Sequence, residues 1–311
     1  MKNKSCIIYG GAGFIGSHIA EDLLEKGYSV SVFDKKNTSK KNIEHLSGRL
    51  KFIEGDFNNV KDIAGSLNNI NYVIHLVSST LPADSNLNPF YDIETNLKSS
   101  LHLFEECMKH KAEKLIFISS GGTVYGNPQW LPITEDHPTN PITSYGIIKL
   151  TIEKYLGLYK DLYGLNYKII RFSNPFGERQ NPRLGQGLIA NLLYRIKIHK
   201  KIEVWGDGSI VRDYFYIRDG VKAIGKTISD NSNNHIYNIS SARGYSINQI
   251  LDKFKKVLGL DFDVSYKPGR KFDVKKNILD NSLASRHLKW KPETNFNTAL
   301  KNTWSYISDH E

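Results

Sequence analysis

The chain has 311 residues, a net charge of +10 and two cysteines, Cys6 and Cys107. Its length allows one large core or two modest ones, and it contains neither an apolar run of the roughly 18 residues that a membrane span needs nor a cleavable apolar leader. Because the cysteines lack metal-ligand spacing and the densest basic cluster, at residues 35–41, lacks interleaved aromatics, the sequence predicts a cytoplasmic protein with no metal, membrane or nucleic-acid partner.

Short apolar strands alternate with longer amphipathic stretches through the first half of the chain, which predicts βαβ units and a parallel sheet. Gly27 and Gly164 stand where glycine commonly ends a helix. The predicted strands are Ser5–Tyr9, Ser29–Asp34, Lys51–Glu54, Tyr72–Leu76, Leu115–Ser119 and Tyr167–Phe172, and the predicted helices are Ser17–Lys26, Val60–Leu67, Asp92–His110 and Ser144–Tyr163.

Beyond Arg171 this alternation breaks, and a second region is expected to assemble from separated pieces. The sequence therefore predicts an α/β fold with a Rossmann-like, doubly wound parallel sheet and a smaller α/β substrate-binding region. Residues 1–171 would form the dinucleotide-binding domain, to which 210–240 return, and residues 172–209 and 241–311 would form the substrate region. Predicted elements in this half are the helices Gly185–Ile198 and Ile247–Leu258 and the strands Lys201–Val204 and His235–Ser240.

A glycine loop, Gly10-x-x-Gly13-x-x-Gly16, follows the first strand and opens the first helix. Glycines at this spacing allow a tight turn and bring backbone N–H groups close to a pyrophosphate at the helix N-terminus. Asp34 ends the next strand, where a carboxylate accepts hydrogen bonds from a ribose 2′-hydroxyl and repels a 2′-phosphate, which favours NAD over NADP. The two lysines that follow it leave NADP open. Asp56, after the third strand, either meets the adenine amino group or caps a helix.

Tyr145 and Lys149 lie one helical turn apart, on the same face of a predicted helix. On its own this spacing is typical of an ordinary surface helix. Downstream of a nucleotide loop, a phenol beside an ammonium indicates proton transfer coupled to hydride transfer at nicotinamide. The sequence thus predicts a dinucleotide-dependent enzyme, with a non-catalytic dinucleotide-binding scaffold as an alternative.

Taken with the segments 119–126, 171–177 and 205–219, these motifs resemble those of the extended short-chain dehydrogenase/reductases, and more narrowly of the NAD-dependent epimerase/dehydratase family. The segments 119–126 and 211–214 resemble its UDP-glucose 4-epimerase branch. The resemblance implies bound NAD, a nucleotide-diphosphate sugar substrate (UDP-glucose, UDP-galactose or an N-acetylated UDP-hexosamine) and 4-epimerisation through a transient 4-keto intermediate. A NAD(P)H-dependent reductase of a nucleotide-linked 4-keto-6-deoxy sugar stays open as the alternative. Relatives commonly form homodimers through the helices that correspond to 92–110 and 144–163.

The same resemblance implies roles for the catalytic residues. Tyr145 would be the proton shuttle at the sugar C4 hydroxyl, and Lys149 would lower the pKa of that tyrosine and bind the nicotinamide ribose. Relatives carry a catalytic Ser or Thr at the position of Gly121, so the hydroxyl here would come from Thr123 or Ser120, with Thr123 preferred. The loop also lacks the Asp-Glu pair that dehydratases carry before Val-Tyr-Gly, which argues against dehydration.

Further contacts are expected from the resemblance alone. Trp205 would pack against the uracil or be a core tryptophan, and Asn277 would leave room for an N-acetyl group near sugar C2. Arg212 and Arg270 would clamp the two phosphates. The expected cofactor-binding residues are Gly10, Gly13, Phe14, Ile15, Gly16, Asp34, Asp56, Phe57, Leu76, Asn96, Ser119, Tyr145, Lys149 and Phe172. The expected substrate-binding residues are Thr123, Asn174, Gln186, Trp205, Arg212, Arg270 and Asn277.

Overall fold

The computed structural model describes residues 4–80, 85–269 and 274–311. The chain divides into two compact units, the first made of residues 1–126, 138–171 and 221–237 and the second of 127–137, 172–220 and 238–311. Their bounds differ from the expected ones at 127–137, 210–220 and 238–240, which cluster with the second unit. The first of these segments bridges to Leu279 through Ile133, and the second contains the central strand of a sheet in that unit.

One sheet of the described residues has seven strands. Its strands are β1 (Ser5–Tyr9), β2 (Ser29–Asp34), β3 (Lys51–Glu54), β4 (Tyr72–His75), β5 (Lys114–Ser120), β6 (Tyr167–Phe172) and β10 (Ile236–Ile239). They lie in the order β10-β6-β5-β4-β1-β2-β3. The ladders β5–β4, β4–β1, β1–β2 and β2–β3 are all parallel. The order reverses at β1, which lies between β2 and β4, and the carboxyl end of a strand at such a reversal is where open α/β sheets bind ligands. The predicted α/β fold with a doubly wound parallel sheet is confirmed.

The helices of this part of the chain follow most of the sequence predictions. They are α1 (Phe14–Glu25), α2 (Val60–Ser66), α3 (Pro89–Asp92), α4 (Ser99–Lys109), α5 (Ser144–Tyr163) and α7 (Ile217–Ser229), with a 3₁₀ helix at Lys41–Leu46 and a π-helical stretch at Ile93–Lys98. Helix α1 begins three residues earlier than predicted because it opens directly from the glycine loop, with Gly13 as its N-cap. The single helix predicted over Asp92–His110 is interrupted by the π-helical stretch.

The second unit is built around β9. Its strands are β7 (Asn174–Phe176), β8 (Ile202–Trp205), β9 (Val211–Tyr216), β11 (Gly244–Ser246), β12 (Val264–Lys267) and β13 (Lys276–Asn277), and its helices are α6 (Leu188–Lys197), α8 (Ile247–Leu258), α9 (Ser282–Leu288) and α10 (Phe296–His310). Strand β9 pairs with β7, β11 and β13, while β8 pairs with β12. Because β9 contacts three strands from separate parts of the chain, side chains on those strands meet at one place.

Burial follows from this layering. Strands β4 and β6 are buried at every position, as expected for a parallel sheet that helices cover on both faces. In the described ranges, no helix is both long and apolar enough to cross a bilayer.

Candidate active site

The glycine loop has two kinds of glycine. Gly10 adopts a φ of +81°, and its N–H donates to the Phe33 carbonyl at 2.9 Å, which closes the turn after β1. A Cβ at Gly16 would lie 2.5 Å from the Gly10 carbonyl oxygen, so the packing of helix against loop requires glycine there. Gly13 is exposed, and the nearest protein atom to a Cβ on it would be the same oxygen, at 3.4 Å. The protein itself would thus accommodate a larger residue at Gly13, and the glycine suits close approach of a ligand.

The N-terminus of α1 fits an anionic ligand. Gly13 provides no side-chain cap, and the first turn carries no acidic residue. The first N–H groups of a helix have no partner within the helix, and the helix dipole is positive at this end. The 12-residue helix can therefore offer these N–H groups to a pyrophosphate, with Phe14 and Ile15 half-buried in its first turn.

Asp34 is fixed beside the same loop. Its Oδ2 accepts from the Ala12 N–H at 3.1 Å, and its Oδ1 accepts from the Lys35 N–H at 2.9 Å and from Thr38 Oγ1 at 3.1 Å. A carboxylate has room for about four hydrogen bonds, so capacity remains for a ribose hydroxyl. The structure thus holds Asp34 beside the glycine loop with acceptor capacity to spare.

Asp56 is exposed just after β3. Its Oδ1 accepts from the N–H and the side-chain amide of Asn58, at 2.8 and 3.1 Å. The alternative reading of Asp56 as a helix cap is wrong, because α2 is capped by Asn59, whose side chain accepts from the Lys61 N–H. Asp56 instead shapes the turn that leads from β3 to that cap.

Phe57 and Leu76 lie next to the residues that begin the glycine loop. The Phe57 ring is buried between Tyr9 and His75, at centroid distances of 5.6 and 5.1 Å. Leu76 follows β4 and is half-buried; a Cβ on Gly10 would lie 3.5 Å from the Leu76 Cβ. Both residues therefore line the turn after β1, Leu76 next to the glycine and Phe57 beneath it.

Asn96 and Ser119 are buried, and their polar atoms bind protein partners. Asn96 Nδ2 donates to Asp92 Oδ1 at 2.6 Å, and Asn96 Oδ1 accepts from the Ser79 N–H at 2.8 Å. Ser119 Oγ donates to Glu153 Oε1 at 2.5 Å. These side chains consequently hold neighbouring segments of the chain in place.

Tyr145 and Lys149 face the same side of α5, whose start is capped by Thr143. The Lys149 ammonium lies 5.7 Å from the centroid of the Tyr145 ring and 4.7 Å from that of Phe117. It donates to the Ile118 carbonyl at 3.1 Å, and the side chain is 5% exposed. The fold therefore places a buried cation against the phenol, as the sequence predicts.

Burial governs the ionisation of this pair. It raises the pKa of Tyr145 to about 12, and the negative charge of Asp92 adds to the rise. Burial lowers the pKa of Lys149 to about 8, against the opposing effects of Glu153 and Asp92. The net shift of Tyr145 is therefore upward, opposite to the lowering expected from Lys149. The protein's own groups hold a neutral phenol beside a lysine that is mainly protonated at pH 7.

The loop after β5 distinguishes the two candidate hydroxyls. Thr123 Oγ1 is buried and has no hydrogen-bond partner among the described residues. Its backbone carbonyl lies 3.0 Å from where a Cβ on Gly146, the neighbour of Tyr145, would be. A buried hydroxyl left unpaired costs about 1–3 kcal/mol, which is recovered when a ligand supplies the partner. Both residues are half-buried, but the buried hydroxyl without a protein partner is that of Thr123, so Thr123 fits a substrate hydroxyl better.

A buried ion pair lies next to the Tyr145–Lys149 dyad, and sequence reasoning missed it. Arg171 donates to Glu153 through Nε at 3.1 Å and through Nη2 at 2.5 Å, and its Nη1 donates to the Tyr125 hydroxyl at 2.9 Å. Burial disfavours the guanidinium, but Glu153 outweighs it and raises the pKa of Arg171. Glu153 follows Lys149 by one helical turn and so lies on the same face of α5, but its partner Arg171 lies on β6, and only the packing of the two elements brings them together.

Three predicted substrate residues of the second unit meet at β9. Asn174 Nδ2 donates to the Asp213 carbonyl at 2.9 Å, Arg212 Nη1 donates to the Val274 carbonyl at 2.6 Å, and Asn277 pairs with Arg212 in the β13–β9 ladder. Asn277 is 1% exposed. The position expected to leave room for an N-acetyl group therefore lies inside this unit.

Asp213, also missed by the sequence analysis, fixes these residues. Its Oδ1 accepts from the N–H and the hydroxyl of Ser241, at 2.9 and 2.7 Å, and from Ser173 Oγ at 3.3 Å, while Oδ2 accepts from the Leu279 N–H at 3.3 Å. Burial raises the pKa of Asp213 to about 6, although these hydrogen bonds oppose the rise. One carboxylate thus joins the chain segments that carry the predicted substrate contacts.

The remaining predicted residues of the second unit are scattered. Trp205 is 47% exposed at the end of β8, so the alternative reading as a core tryptophan is wrong. Gln186 is exposed before α6, and Phe172 packs against Phe215 at 5.1 Å. Arg270 lies outside the described residues. Across the described ranges, no cluster of His, Cys, Asp and Glu is arranged to hold a metal ion.

Comparisons with known proteins identify the family of the chain. The NAD dependent epimerase/dehydratase family matches residues 6–240. The chain is 31% identical to the UDP-glucose 4-epimerase of Corynebacterium glutamicum over 316 residues, which cover 97% of this chain and 95% of the relative.

Two solved structures are similar over nearly their whole length. The UDP-glucose 4-epimerase of Thermotoga maritima, solved with UDP-glucose, is 35% identical with a TM-score of 0.93 and covers 98% of this chain and 99% of its own. The UDP-N-acetylglucosamine 4-epimerase of Methanobrevibacter ruminantium, in complex with UDP-N-acetylmuramic acid, is 28% identical with a TM-score of 0.93 and covers 100% of both chains. The chain belongs to the NAD dependent epimerase/dehydratase family.

Proposed function

We propose that this protein is an NAD-dependent nucleotide-sugar 4-epimerase that interconverts UDP-glucose and UDP-galactose and also accepts N-acetylated UDP-hexosamines. The observation that carries the proposal is the buried Tyr145–Lys149 pair, with the unpaired Thr123 hydroxyl on the loop that packs against the same helix. The relatives named as 4-epimerases of UDP-glucose and of UDP-N-acetylglucosamine support the substrate class.

The residues present fit NAD. The uncapped N-terminus of α1 and the uncrowded Gly13 would hold the pyrophosphate, and Asp34 would accept from the adenosine ribose. Lys149 would donate to the nicotinamide ribose with the N–H groups that Ile118 does not use. When bound, NAD supplies a hydride acceptor and donor for sugar C4.

The chain's own residues move the proton. Tyr145 takes the proton of the C4 hydroxyl and returns it when the sugar is reduced on its other face. Lys149 supplies a positive charge beside the phenolic oxygen, which favours the phenolate. Thr123 Oγ1 forms a hydrogen bond with the C4 oxygen and orients it toward Tyr145. Because the loop at 119–126 contains no carboxylate, the chain lacks the acid–base pair that water elimination would need there.

Proton NMR of the purified protein with UDP-glucose or UDP-N-acetylglucosamine, without added cofactor, tests the proposal. The galacto-configured product should accumulate to equilibrium, because 4-epimerisation regenerates its NAD in every cycle. Conversion of neither sugar, even with NAD supplied, would contradict the proposal. Turnover only of a 4-keto-6-deoxy sugar, with stoichiometric consumption of NADH or NADPH, would establish the reductase instead.

Replacing Gly13 tests the cofactor loop. Gly13→Ala should weaken NAD binding about 10-fold or more, because a methyl group would occupy the space of the pyrophosphate, while the free energy of unfolding changes by about 1 kcal/mol or less. Its backbone conformation, φ −74° and ψ −177°, is open to alanine. Gly65→Ala in α2, where a Cβ would meet no atom within 4 Å, is the matched control and should retain NAD. The NAD released per chain on acid denaturation gives the result, and equal NAD content in both variants would argue against this loop.

Replacing each candidate hydroxyl tests its role. Thr123→Val should lower kcat about 10- to 100-fold and leave NAD content unchanged, because the isosteric side chain cannot form a hydrogen bond with the C4 oxygen. It should also raise the melting temperature slightly, since it removes a buried unpaired hydroxyl. Ser120→Ala should change kcat by less than about 3-fold. The reverse order of effects would assign the role to Ser120.

We further propose a cytoplasmic homodimer that forms through α4 and α5. Apolar side chains on α5 stand exposed, namely Ile147, Leu158, Leu162 and Tyr163, at 46–60% of their full area. An exposed apolar stripe of this kind is typical of a helix that packs against a second copy. Light scattering should give about twice the 35.4 kDa of one chain; a monomer at micromolar concentration would contradict the dimer.

A further inference from the structure

Asp92 accepts three hydrogen bonds near the start of α5, the helix that carries Tyr145 and Lys149. It ends α3 and is 1% exposed. Its Oδ1 accepts from Thr80 Oγ1 at 2.7 Å and from Asn96 Nδ2 at 2.6 Å, and its Oδ2 accepts from Ser144 Oγ at 3.0 Å. The donors belong to the segment after β4, to the π-helical stretch and to the first residue of α5. One carboxylate therefore ties the helix that carries Tyr145 to two other segments.

The backbone at the start of α5 is held from the same region of the chain. The Ser144 N–H donates to Asn86 Oδ1 at 2.8 Å, and the Tyr145 N–H donates to Ser85 Oγ at 3.0 Å. Ser85 is fully buried. The orientation of Tyr145 thus depends on contacts with residues 85–92, and the contact from Asp92 is the one made by a carboxylate.

Asn96 extends this network toward the cofactor side. It donates to Asp92 and accepts from the Ser79 N–H at 2.8 Å, in the segment that leaves β4 beside the glycine loop. Asn96 is among the residues expected to contact NAD. Asp92 therefore connects a cofactor-side residue with the residue that moves the proton.

We propose that Asp92 is a positioning residue of the reaction, which fixes the start of α5 and places a negative charge near the Tyr145 phenol. This rests on the proposed role of Tyr145. Asp92 does not need to touch the substrate: it acts through Ser144 on the direction of the phenol and through space on its ionisation.

The electrostatics agree with this role. Burial raises the pKa of Tyr145, and Asp92 raises it further. The other charged or titratable groups described on this side are Lys149 and Glu153 of α5 itself and His75 at the end of β4. Burial holds the pKa of His75 well below its usual value, so this ring stays neutral. Asp92 is thus the anion whose removal should ease formation of the phenolate.

The test compares Asp92→Asn with Ser144→Ala. Asp92→Asn removes the charge, and the acid limb of the kcat/KM pH profile should move to lower pH by about half to one unit. Ser144→Ala keeps the charge and loses one hydrogen bond, so kcat should fall about 5-fold with the limb unmoved. Asp92→Glu should return the limb toward the wild-type position. An unmoved limb in a folded Asp92→Asn variant would overturn the electrostatic part, and wild-type kcat in Ser144→Ala would overturn the positioning part.

A second readout does not depend on turnover. In protein labelled with ¹³C at the tyrosine Cζ, the Tyr145 signal is assigned by its loss in Tyr145→Phe. Near pH ~11, this signal should lie further toward the phenolate position in Asp92→Asn than in the wild type. Identical titrations of the two proteins would overturn the role of Asp92 even if the enzyme is an epimerase. A shifted titration in a protein without epimerase activity would contradict the proposed function and leave the effect of Asp92 on Tyr145 standing. If Asp92→Asn does not fold, Thr80→Val and Ser144→Ala decide, and unchanged kcat in both overturns the positioning role.

Discussion

Tyr145→Phe should reduce the rate of 4-epimerisation about 10³-fold and leave the fold intact. The substitution removes only the oxygen that we propose takes up and returns the C4 proton, a step for which a positioned acid–base group contributes about 10²- to 10⁴-fold. The ring keeps its place beside the Lys149 ammonium and at the capped start of α5. We therefore expect the melting temperature and the NAD content to stay close to wild type.

The matched control is Tyr155→Phe, which makes the same chemical change on the same helix, at a half-buried residue that packs against the core. Its rate should stay within about 2-fold of wild type. Product formation is followed by NMR and NAD content by acid release. A Tyr145→Phe variant that retains more than about a tenth of the rate would remove Tyr145 from the proton transfer. Loss of NAD together with activity would instead indicate a role in binding.

The cofactor loop and the dyad could be predicted because each is local in sequence. Gly10, Gly16 and Asp34 lie within one βαβ unit, and Tyr145 and Lys149 lie within one helix. Their relative positions are set by strand and helix periodicity, which the sequence reveals directly. Strands β1, β2, β3 and β6 and helix α5 accordingly have the predicted bounds.

The residues that support the dyad could not be predicted in this way. Asp92 meets Ser144 across 52 positions of the chain, and Arg171 meets Glu153 between a strand and a helix. Such pairs depend on how the elements pack, and a single acid on an amphipathic helix is more often a solvated surface residue. The upward shift of the Tyr145 pKa was missed for the same reason, since it arises from burial.

The second unit was predicted least well because its elements are short and its sheet joins separated segments. Strand β13 has only two residues, and β7 and β11 have three each. Runs of this length show no measurable periodicity. The meeting of Asn174, Arg212 and Asn277 at β9 depends on strand register, which no single segment carries. Asn277 is buried there, so a bulkier residue such as tyrosine would overpack the position.

Lys149→Met should lower kcat about 10²- to 10³-fold and at the same time stabilise the protein at pH 7. The activity falls because the phenolate loses the adjacent positive charge and the nicotinamide ribose loses a donor. The stability rises because the wild-type protein keeps a charge in a buried site, where the pKa of Lys149 is about 8. A methionine fills a similar volume beside Phe117 without that charge.

The sign of the pH dependence follows from proton counts. Between pH 8 and 10.5, the folded protein has released the Lys149 proton while the unfolded chain, with the ordinary lysine pKa of 10.5, still holds it. The unfolded state therefore binds more protons in this window, and the wild-type free energy of unfolding should gain up to about 3 kcal/mol from this group as the pH rises through it. Lys149→Met should lack this increment. Its advantage at pH 7 should be smaller than the full amount, because the hydrogen bond to Ile118 and the attraction to Glu153 are lost as well.

Urea unfolding of both proteins at pH 7 and at pH 9.5 measures the effect. The control is Lys154→Met, on the exposed side of the same helix, which should change neither kcat nor the pH dependence. A Lys149→Met variant that is less stable than wild type at pH 7 would mean that the ammonium contributes more through its contacts than burial costs it. If the Lys154→Met control fails to gain stability above pH 8 as the wild type does, then the gain does not come from Lys149. If the variant is both more stable and inactive, the buried lysine is retained for catalysis at the expense of stability, as expected of a residue that holds charge beside a reacting phenol.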